Sequence, residues 1–134
     1  MRKGQVAMEY VLIIGFATLI AIPLFLIFSH YTNETRNEVT YNQADSISRK
    51  IVDSAETVYY LGEPSKVTLK VYMPNDIKNL TIENGYVHFI VKAGRFTTDI
   101  VHSSTINISG NVSFKPGVKQ INIESKGDYV WVYT

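Results

Sequence analysis

The chain begins with one uninterrupted apolar segment, after which the pattern changes first to helical and then to strand periodicity. No charged residue occurs from Tyr10 to Phe28. A helix of that length, rising ~1.5 Å per residue, spans roughly 28 Å, which is close to the hydrocarbon thickness of a bilayer. The pattern therefore predicts a helix that can cross a membrane.

The basic residues around the apolar segment predict its orientation. Arg2 and Lys3 precede the segment, and the next lysine or arginine after it is Arg36. Positively charged residues near a membrane span stay on the cytoplasmic side. We therefore expect the N-terminus inside the cell and the residues after Ser29 outside.

Helical periodicity continues beyond the apolar segment. Thr32 to Gln43 contain no glycine or proline, and Gly62 and Pro64 form a helix stop signal. Pro23 removes one helical hydrogen bond, so we expect a kink or a locally melted stretch over Leu19 to Pro23. Between these points, apolar residues recur at helical spacings of three and four, at Ala44, Ile47, Ile51, Ala55 and Val58.

From Lys66 onward the apolar period becomes two, which is the period of a half-buried strand. Asn84-Gly85 is a strong hairpin signal, because both residue types tolerate a positive φ. A second hairpin is predicted to turn at Lys126 to Asp128. The predicted strands are Val67 to Met73, Leu80 to Ile82, Val87 to Val91, Phe96 to Val101, Ile106 to Ile108, Val112 to Phe114, Ile121 to Ile123 and Tyr129 to Tyr133.

These elements predict an α+β fold, with a long N-terminal α-helix followed by an antiparallel β-sandwich-like or partly closed globular head. The expected divisions are a leader (1–4), a hydrophobic transmembrane and assembly helix (5–30), a helix extension packed on the head (31–62) and the β head (63–134). A head of about 70 residues buries only ~60% of its unfolded surface. We therefore expect the helix and neighbouring subunits to supply the missing burial.

The first residues depart from an ordinary secretory signal in two ways. The small residue suited to cleavage, Gly4 before Gln5, precedes the apolar segment, so the mature protein would keep the helix. Glu9 lies at the edge of that segment, where an unpaired carboxylate costs a few kcal/mol. Its position leaves two readings open: Glu9 has a partner in assembly, or it stays in water at the level of the lipid headgroups.

The segment KGQVAMEYVLIIGFATLIAIPLF resembles the class III signal peptide of type IV pilins. It is most similar to the archaeal group in which the leader ends in Lys-Gly before a glutamine and the fifth mature residue is glutamate. Lys3, Gly4, Gln5, Glu9 and Tyr10 match that pattern. The resemblance implies that a prepilin peptidase cuts between Gly4 and Gln5, and that Glu9 pairs with the new amine of Gln5 on a neighbouring subunit. Cyclisation of Gln5 would make that partner a neutral hydrogen-bond donor.

The resemblance also implies a function. The chain is expected to be the structural subunit of an extracellular archaeal pilus, held in the cytoplasmic membrane as a precursor and polymerised by the pilus assembly machinery, for adhesion to surfaces. The homopolymer would form through the N-terminal helices. Two alternatives stay open: a membrane-anchored surface-binding protein that does not polymerise, and a minor pilin or archaeal flagellar filament component.

Composition argues against other function classes. The chain has 13 basic and 12 acidic residues, and a near-neutral chain offers no basic surface for nucleic acid. It has no cysteine, which excludes disulfides and thiolate chemistry. His30, His88 and His102 lie far apart in sequence, and no phosphate-binding loop or nucleophile elbow occurs. The sequence therefore predicts neither an enzyme nor a cofactor.

Four Asn-x-Ser/Thr sequons mark candidate N-glycosylation sites, at Asn33, Asn79, Asn107 and Asn111. Asn79 and Asn111 are predicted to lie in turns, which makes them the stronger candidates. Asn33 is expected on the helix and Asn107 at a strand start.

Aromatic residues alternate near the C-terminal end of the sequence, at Tyr129, Trp131 and Tyr133. A row of this kind at period two is either half of the packing of a sheet or an exposed strip for binding sugars or surfaces.

Overall fold

The computed structural model describes residues 2–134, without the side chains of Arg2, Lys3 and Asn33. It has one α-helix followed by seven β-strands, which confirms the predicted α+β class. The elements are α1 (Arg2–Leu61), β1 (Lys66–Met73), β2 (Ile77–Glu83), β3 (Tyr86–Ala93), β4 (Phe96–Ser103), β5 (Ile108–Asn111), β6 (Gly117–Ser125) and β7 (Val130–Tyr133).

Helix α1 ends at the predicted stop signal. Gly62 has a left-handed φ of 77°, and its N–H donates to the carbonyl of Tyr59 at 3.0 Å. This bond satisfies one of the carbonyls that a last helical turn leaves free. The melted stretch expected at Leu19 to Pro23 is not found, because α1 continues through Pro23. A proline removes a single backbone hydrogen bond, and the turns on either side keep theirs.

The chain divides into two compact units, Met1–Arg36 and Asn37–Thr134. The first unit is helical throughout its described residues. The second contains the rest of α1 and the whole sheet. Among the described residues, every buried apolar side chain lies in the second unit, beginning with Ala44. This second unit, Asn37–Thr134, is called the head from here on, and it has a complete hydrophobic core of its own.

The seven strands form one sheet in the order β1-β6-β7-β5-β2-β3-β4. Neighbouring strands are antiparallel except for β5 and β7, which are parallel. The predicted Asn84-Gly85 turn joins β2 to β3, with φ values of 52° and 79°. The second predicted hairpin, at Lys126 to Asp128, joins β6 to β7. Both hairpin predictions are confirmed.

The region around β5 corrects the sequence prediction. Ile106 to Ile108 and Val112 to Phe114 were expected as two strands, but the structure has the single strand β5 between them. Backbone bonds fix this strand from both sides: Gly85 N–H donates to the carbonyl of Ile108 at 3.2 Å, and Val130 N–H donates to the carbonyl of Asn107 at 3.0 Å. Ile106 and Val112 are buried all the same, so the apolar pattern identified burial and not strand pairing.

The core lies between α1 and one face of the sheet. The helical face predicted from the apolar spacing is buried, and Ser48 and Val52 are buried with it. Strand residues alternate about the sheet, so every second side chain enters this core. Phe89 is among the largest fully buried side chains. The other buried strand residues include Val71, Met73, Ile82, Val87, Val91, Ile100, Ile108, Ile121, Ile123, Val130 and Val132.

Gly110 joins the two halves of the sheet. It pairs with Val132 of β7 on one side and with Ile82 of β2 on the other. A Cβ at this position would collide with the carbonyl oxygen of Val132 and lie 2.9 Å from the Val132 Cβ. Glycine is therefore required for β5 to approach β7 this closely. The close approach puts the exposed side chains of β5 directly beside those of β7.

Candidate assembly site and the surfaces of the head

The residues that the sequence assigns to processing and assembly lie in the first turns of α1. Gly4, Gln5 and Glu9 are exposed. A Cβ on Gly4 would meet no atom outside the local helix within 4 Å, so the fold itself does not require glycine there. Gln5 and Glu9 are four residues apart and share one helix face. The predicted leader includes Met1, which lies outside the described residues.

The apolar part of α1 is exposed around its whole circumference. Phe25 and Phe28 are each 70% exposed, and the consecutive residues Leu24 to Ile27, which point in successive directions around the helix, are all exposed. By length and composition, α1 is the one helix in the described part of the chain that can cross a membrane, and its most apolar stretch is entirely unburied. The exposed large apolar residues are Val6, Met8, Tyr10, Val11, Leu12, Ile13, Ile14, Phe16, Leu19, Ile20, Ile22, Leu24, Phe25, Leu26, Ile27 and Phe28.

Glu9 is the first acidic residue of the chain, and the next is Glu34. Glu34 lies 3.6 Å from Nδ1 of His30 across one helical turn. Glu9 makes no ion pair with any residue that the structure describes.

Within the head, Asp45 connects α1 to the edge strand β4. Its Oδ1 lies 2.8 Å from Nε2 of His102, and its Oδ2 accepts a hydrogen bond from Nε of Arg49 at 2.9 Å. These two bonds lower the pKa of Asp45, with the His102 bond as the larger cause. The spacing of histidines in the sequence did not indicate this contact. His102 faces the helix because it pairs with buried Val87 across the sheet.

Glu56 connects α1 to the loop before β5. Its Oε1 accepts hydrogen bonds from the backbone N–H of Thr105 at 2.9 Å, from Oγ1 of Thr105 at 2.9 Å and from Oγ of Ser104 at 3.1 Å. The pKa of Glu56 is lowered, chiefly by the backbone N–H of Thr105. Together with Asp45, this carboxylate fixes the edge of the head to the helix.

We expect the head to lose stability in acid. A lowered pKa means that the folded state binds fewer protons than the unfolded state, so the stabilisation is complete above the ordinary pKa values of 3.8 for Asp45 and 4.5 for Glu56, and is lost as the pH falls through the lowered values. Asp45→Asn and Glu56→Gln should each lower the free energy of unfolding at pH 7 by about 1 kcal/mol, since these bonds are partly exposed to solvent. Denaturant unfolding between about pH 2 and pH 7 measures both effects.

Asp53→Asn is the matched control, because Asp53 is an exposed acid on the same part of α1. It should leave both the stability and its dependence on pH unchanged. Equal acid sensitivity of the wild type and the Asp45→Asn, Glu56→Gln double variant would contradict this account.

The sheet face opposite α1 carries an aromatic groove, defined by Glu124, Lys126, Tyr129, Trp131 and Tyr133, with a volume of about 470 Å³. Trp131 is 38% exposed. Lys126 Nζ donates to Oε1 of Glu124 at 2.7 Å, and this bond lowers the pKa of Glu124 and raises the pKa of Lys126. The aromatic row of the sequence is thus a partly exposed surface outside the core.

Two of the four sequons lie elsewhere than predicted. Asn79 is within β2, next to a bulge between Ile77 and Asn79, and Asn111 is the last residue of β5. Both had been expected in turns; polar residues at bulges and strand ends give the same sequence signal. Asn107 is exposed immediately before β5, and Asn33 is within α1, although its side chain lies outside the described residues.

The described residues contain no group of three or more histidine, aspartate or glutamate side chains that could hold a metal ion. His88 lies on the outer face of β3, where Nε2 is 3.7 Å from Oδ1 of Asp99.

No family model matches the chain, and neither a curated protein nor a solved structure does.

Proposed function

We propose that the chain is the structural subunit of an extracellular archaeal type IV pilus. In this proposal it is processed after Gly4, polymerises through its apolar N-terminal helix, and serves adhesion to surfaces. The observation that carries the proposal is the exposure of apolar side chains on every side of α1 as far as Phe28. The sequence resemblance of the leader supports it independently.

Apolar side chains on every side of this helix are unfavourable in water unless lipid or protein covers them. Burying one leucine, isoleucine or phenylalanine side chain contributes ~1.5 to 3 kcal/mol. Packing against a single surface would bury one stripe and leave the others in water. The core of the head is complete from Ala44 onward, so the head does not need this segment. Lipid before assembly, and surrounding copies of the same helix after it, would cover all sides.

Glu9 gives the assembly its register in this proposal. Its carboxylate would meet the amine that cleavage creates on Gln5 of a neighbouring subunit. A charge pair excluded from water is strongly favoured over either charge alone. A subunit displaced along the helix axis would leave both charges unpaired, so the pair would select one axial position.

The second candidate is a membrane-anchored surface-binding protein that never polymerises. The aromatic groove favours it, because an exposed aromatic surface is typical of binding sites. The same groove is compatible with a pilin that adheres through its head. A minor pilin would share the helix and differ in its abundance within the fibre, whereas a flagellar filament component would use the helix in a different filament.

The test is the mass of the mature chain in surface filaments sheared from the native host. We expect filaments made chiefly of this protein, with a chain that begins at Gln5. Gly4→Val should retain the leader and remain in the membrane, because a larger side chain blocks cleavage; the exposed position of Gly4 predicts that the head still folds. Filaments built from chains that retain Met1 to Gly4 would overturn the proposal. A processed chain found only in membranes would favour the anchored alternative.

A further inference from the structure

The aromatic groove has the chemistry of a saccharide site. It is lined by the aromatic side chains of Tyr129, Trp131 and Tyr133 and by the charged side chains of Glu124 and Lys126. Nζ of Lys66 lies 5.2 Å from the centroid of the Tyr133 ring and donates to its hydroxyl at 2.8 Å. A sugar ring presents apolar C–H groups on its faces and hydroxyl groups around its edge. Flat aromatic rings can bury the C–H faces. A carboxylate can accept hydrogen bonds from the sugar hydroxyl groups, and an ammonium group can donate hydrogen bonds to them.

A sequon lies directly beside this groove. Strand β5 runs parallel to β7 in the register Ser109 to Trp131 and Asn111 to Tyr133. Adjacent strands are ~4.8 Å apart, and side chains in register point to the same face of a sheet. Asn111 is exposed and is the first residue of the sequon Asn111-Val112-Ser113. A group attached to its side chain would thus emerge next to the aromatic row.

We propose that Asn111 carries an N-linked glycan and that the first sugars of this glycan lie in the aromatic groove over Trp131. The occupant of the groove is then a part of the same molecule. The inference rests on the proposed function only in requiring that the head is exported. It assigns a glycan to one of the four sequons, and it makes the exposed aromatic row the surface on which that glycan packs.

The attachment is a group transfer from a lipid-phosphate-linked oligosaccharide. The Nδ2 atom of Asn111 attacks the anomeric carbon of the first sugar. The new N–C bond forms as the bond from that carbon to the phosphate oxygen breaks, and the lipid phosphate leaves. The amide nitrogen loses one proton to a base of the transferring enzyme.

Two of the other sequons lie away from the groove: Asn79 is on β2, which is separated from β7 by β5, and Asn33 belongs to the first unit of the chain. Asn107 is exposed immediately before β5, and its carbonyl accepts a hydrogen bond from the N–H of Val130 at 3.0 Å, so it lies near the Tyr129 end of the groove. Asn111 is in register with Tyr133 at the other end. Asn79 therefore provides a control sequon on the same sheet at a distance from the groove.

Trp131 makes the inference measurable, because it is the only tryptophan in the chain. Full-length wild type, Asn111→Gln and Asn79→Gln would be produced in the native host and purified in detergent before assembly. Glycopeptide mass spectrometry gives the occupancy of each sequon. Acrylamide quenching and the emission maximum of Trp131 report its accessibility in each protein.

We expect a glycan at Asn111 in the wild type. Asn111→Gln should raise the acrylamide quenching constant of Trp131 and shift its emission to longer wavelength, whereas Asn79→Gln should change neither. Trp131→Ala should keep the glycan at Asn111 and make its release by a glycosidase faster. The side chain of Trp131 lies outside the core, so this variant is expected to fold.

An unmodified Asn111, or an occupied Asn111 whose loss leaves the quenching of Trp131 unchanged, would overturn the inference. These outcomes are separable from failure of the proposed function. Filaments of processed chains in which Asn111 carries no glycan would contradict the glycan inference alone. A chain that is never processed or assembled, but whose glycan shields Trp131, would contradict the pilus proposal and support the glycan inference.

Discussion

A fragment that begins at Tyr31 should fold, remain monomeric and form no fibres, whereas the processed full chain assembles. The fragment retains every buried apolar residue that the structure describes, from Ala44 to Val132. It loses the continuous run of exposed apolar residues from Val6 to Phe28. Without them, nothing of comparable apolar area is left to drive association through helices.

The measurements are solution mass, thermal unfolding and electron microscopy on the fragment and on the processed chain. The fragment should show a single cooperative unfolding transition and the mass of one chain. In assembled fibres, backbone amides of residues 5–28 should be the slowest to exchange with solvent, because surrounding helices exclude water from them. Fibres formed by the fragment would place the assembly contacts in the β head and contradict the proposal.

The sequence was sufficient to predict the elements of the head that depend on local signals. Gly62 ended the helix, Asn84-Gly85 placed the tight hairpin, and the apolar spacing identified the buried face of α1. Each of these signals acts within a few residues of the chain. Such signals are readable because backbone conformation and side-chain direction follow from the residues themselves.

The sequence did not reveal features that depend on distant pairing. Strand β1 pairs with β6, and the short β5 lies between β7 and β2. An apolar alternation shows that a strand has a buried face, but it does not identify the neighbour of that strand. Gly110 gave no local signal either. Its role emerges only when the carbonyl of Val132 is found against it.

The polar contacts of the head could not be predicted from the sequence either, because they also depend on residues that are distant along the chain. Asp45 and His102 are brought together by the register of β3 and β4, not by their spacing in sequence. Glu56 reaches Ser104 and Thr105 because the loop before β5 passes the helix at that point. By contrast, the roles proposed for Gly4, Gln5 and Glu9 rest on a linear sequence pattern, which requires no pairing of distant residues.

We expect Glu9→Ala to leave a folded head in the membrane and to reduce filaments severely. Within the described chain Glu9 is exposed and makes no ion pair, so removing its carboxylate costs the isolated subunit nothing. In the fibre, loss of one member of a buried charge pair costs ~3 to 5 kcal/mol. A loss of ~3 kcal/mol for each subunit contact raises the subunit concentration required for assembly by about a hundredfold.

Glu38→Ala is the matched control, because Glu38 is also an exposed acid of α1 but lies beyond the apolar segment. It should assemble like the wild type. Glu9→Gln separates the two forms of the contact: a charged amine on Gln5 requires the carboxylate, whereas a cyclised Gln5 donates a neutral hydrogen bond that glutamine can also accept. Filament yield, membrane content and thermal unfolding of the head would be measured together for all variants. Normal filament yield from Glu9→Ala would mean that Glu9 contributes no assembly contact and remains at the membrane surface in contact with water.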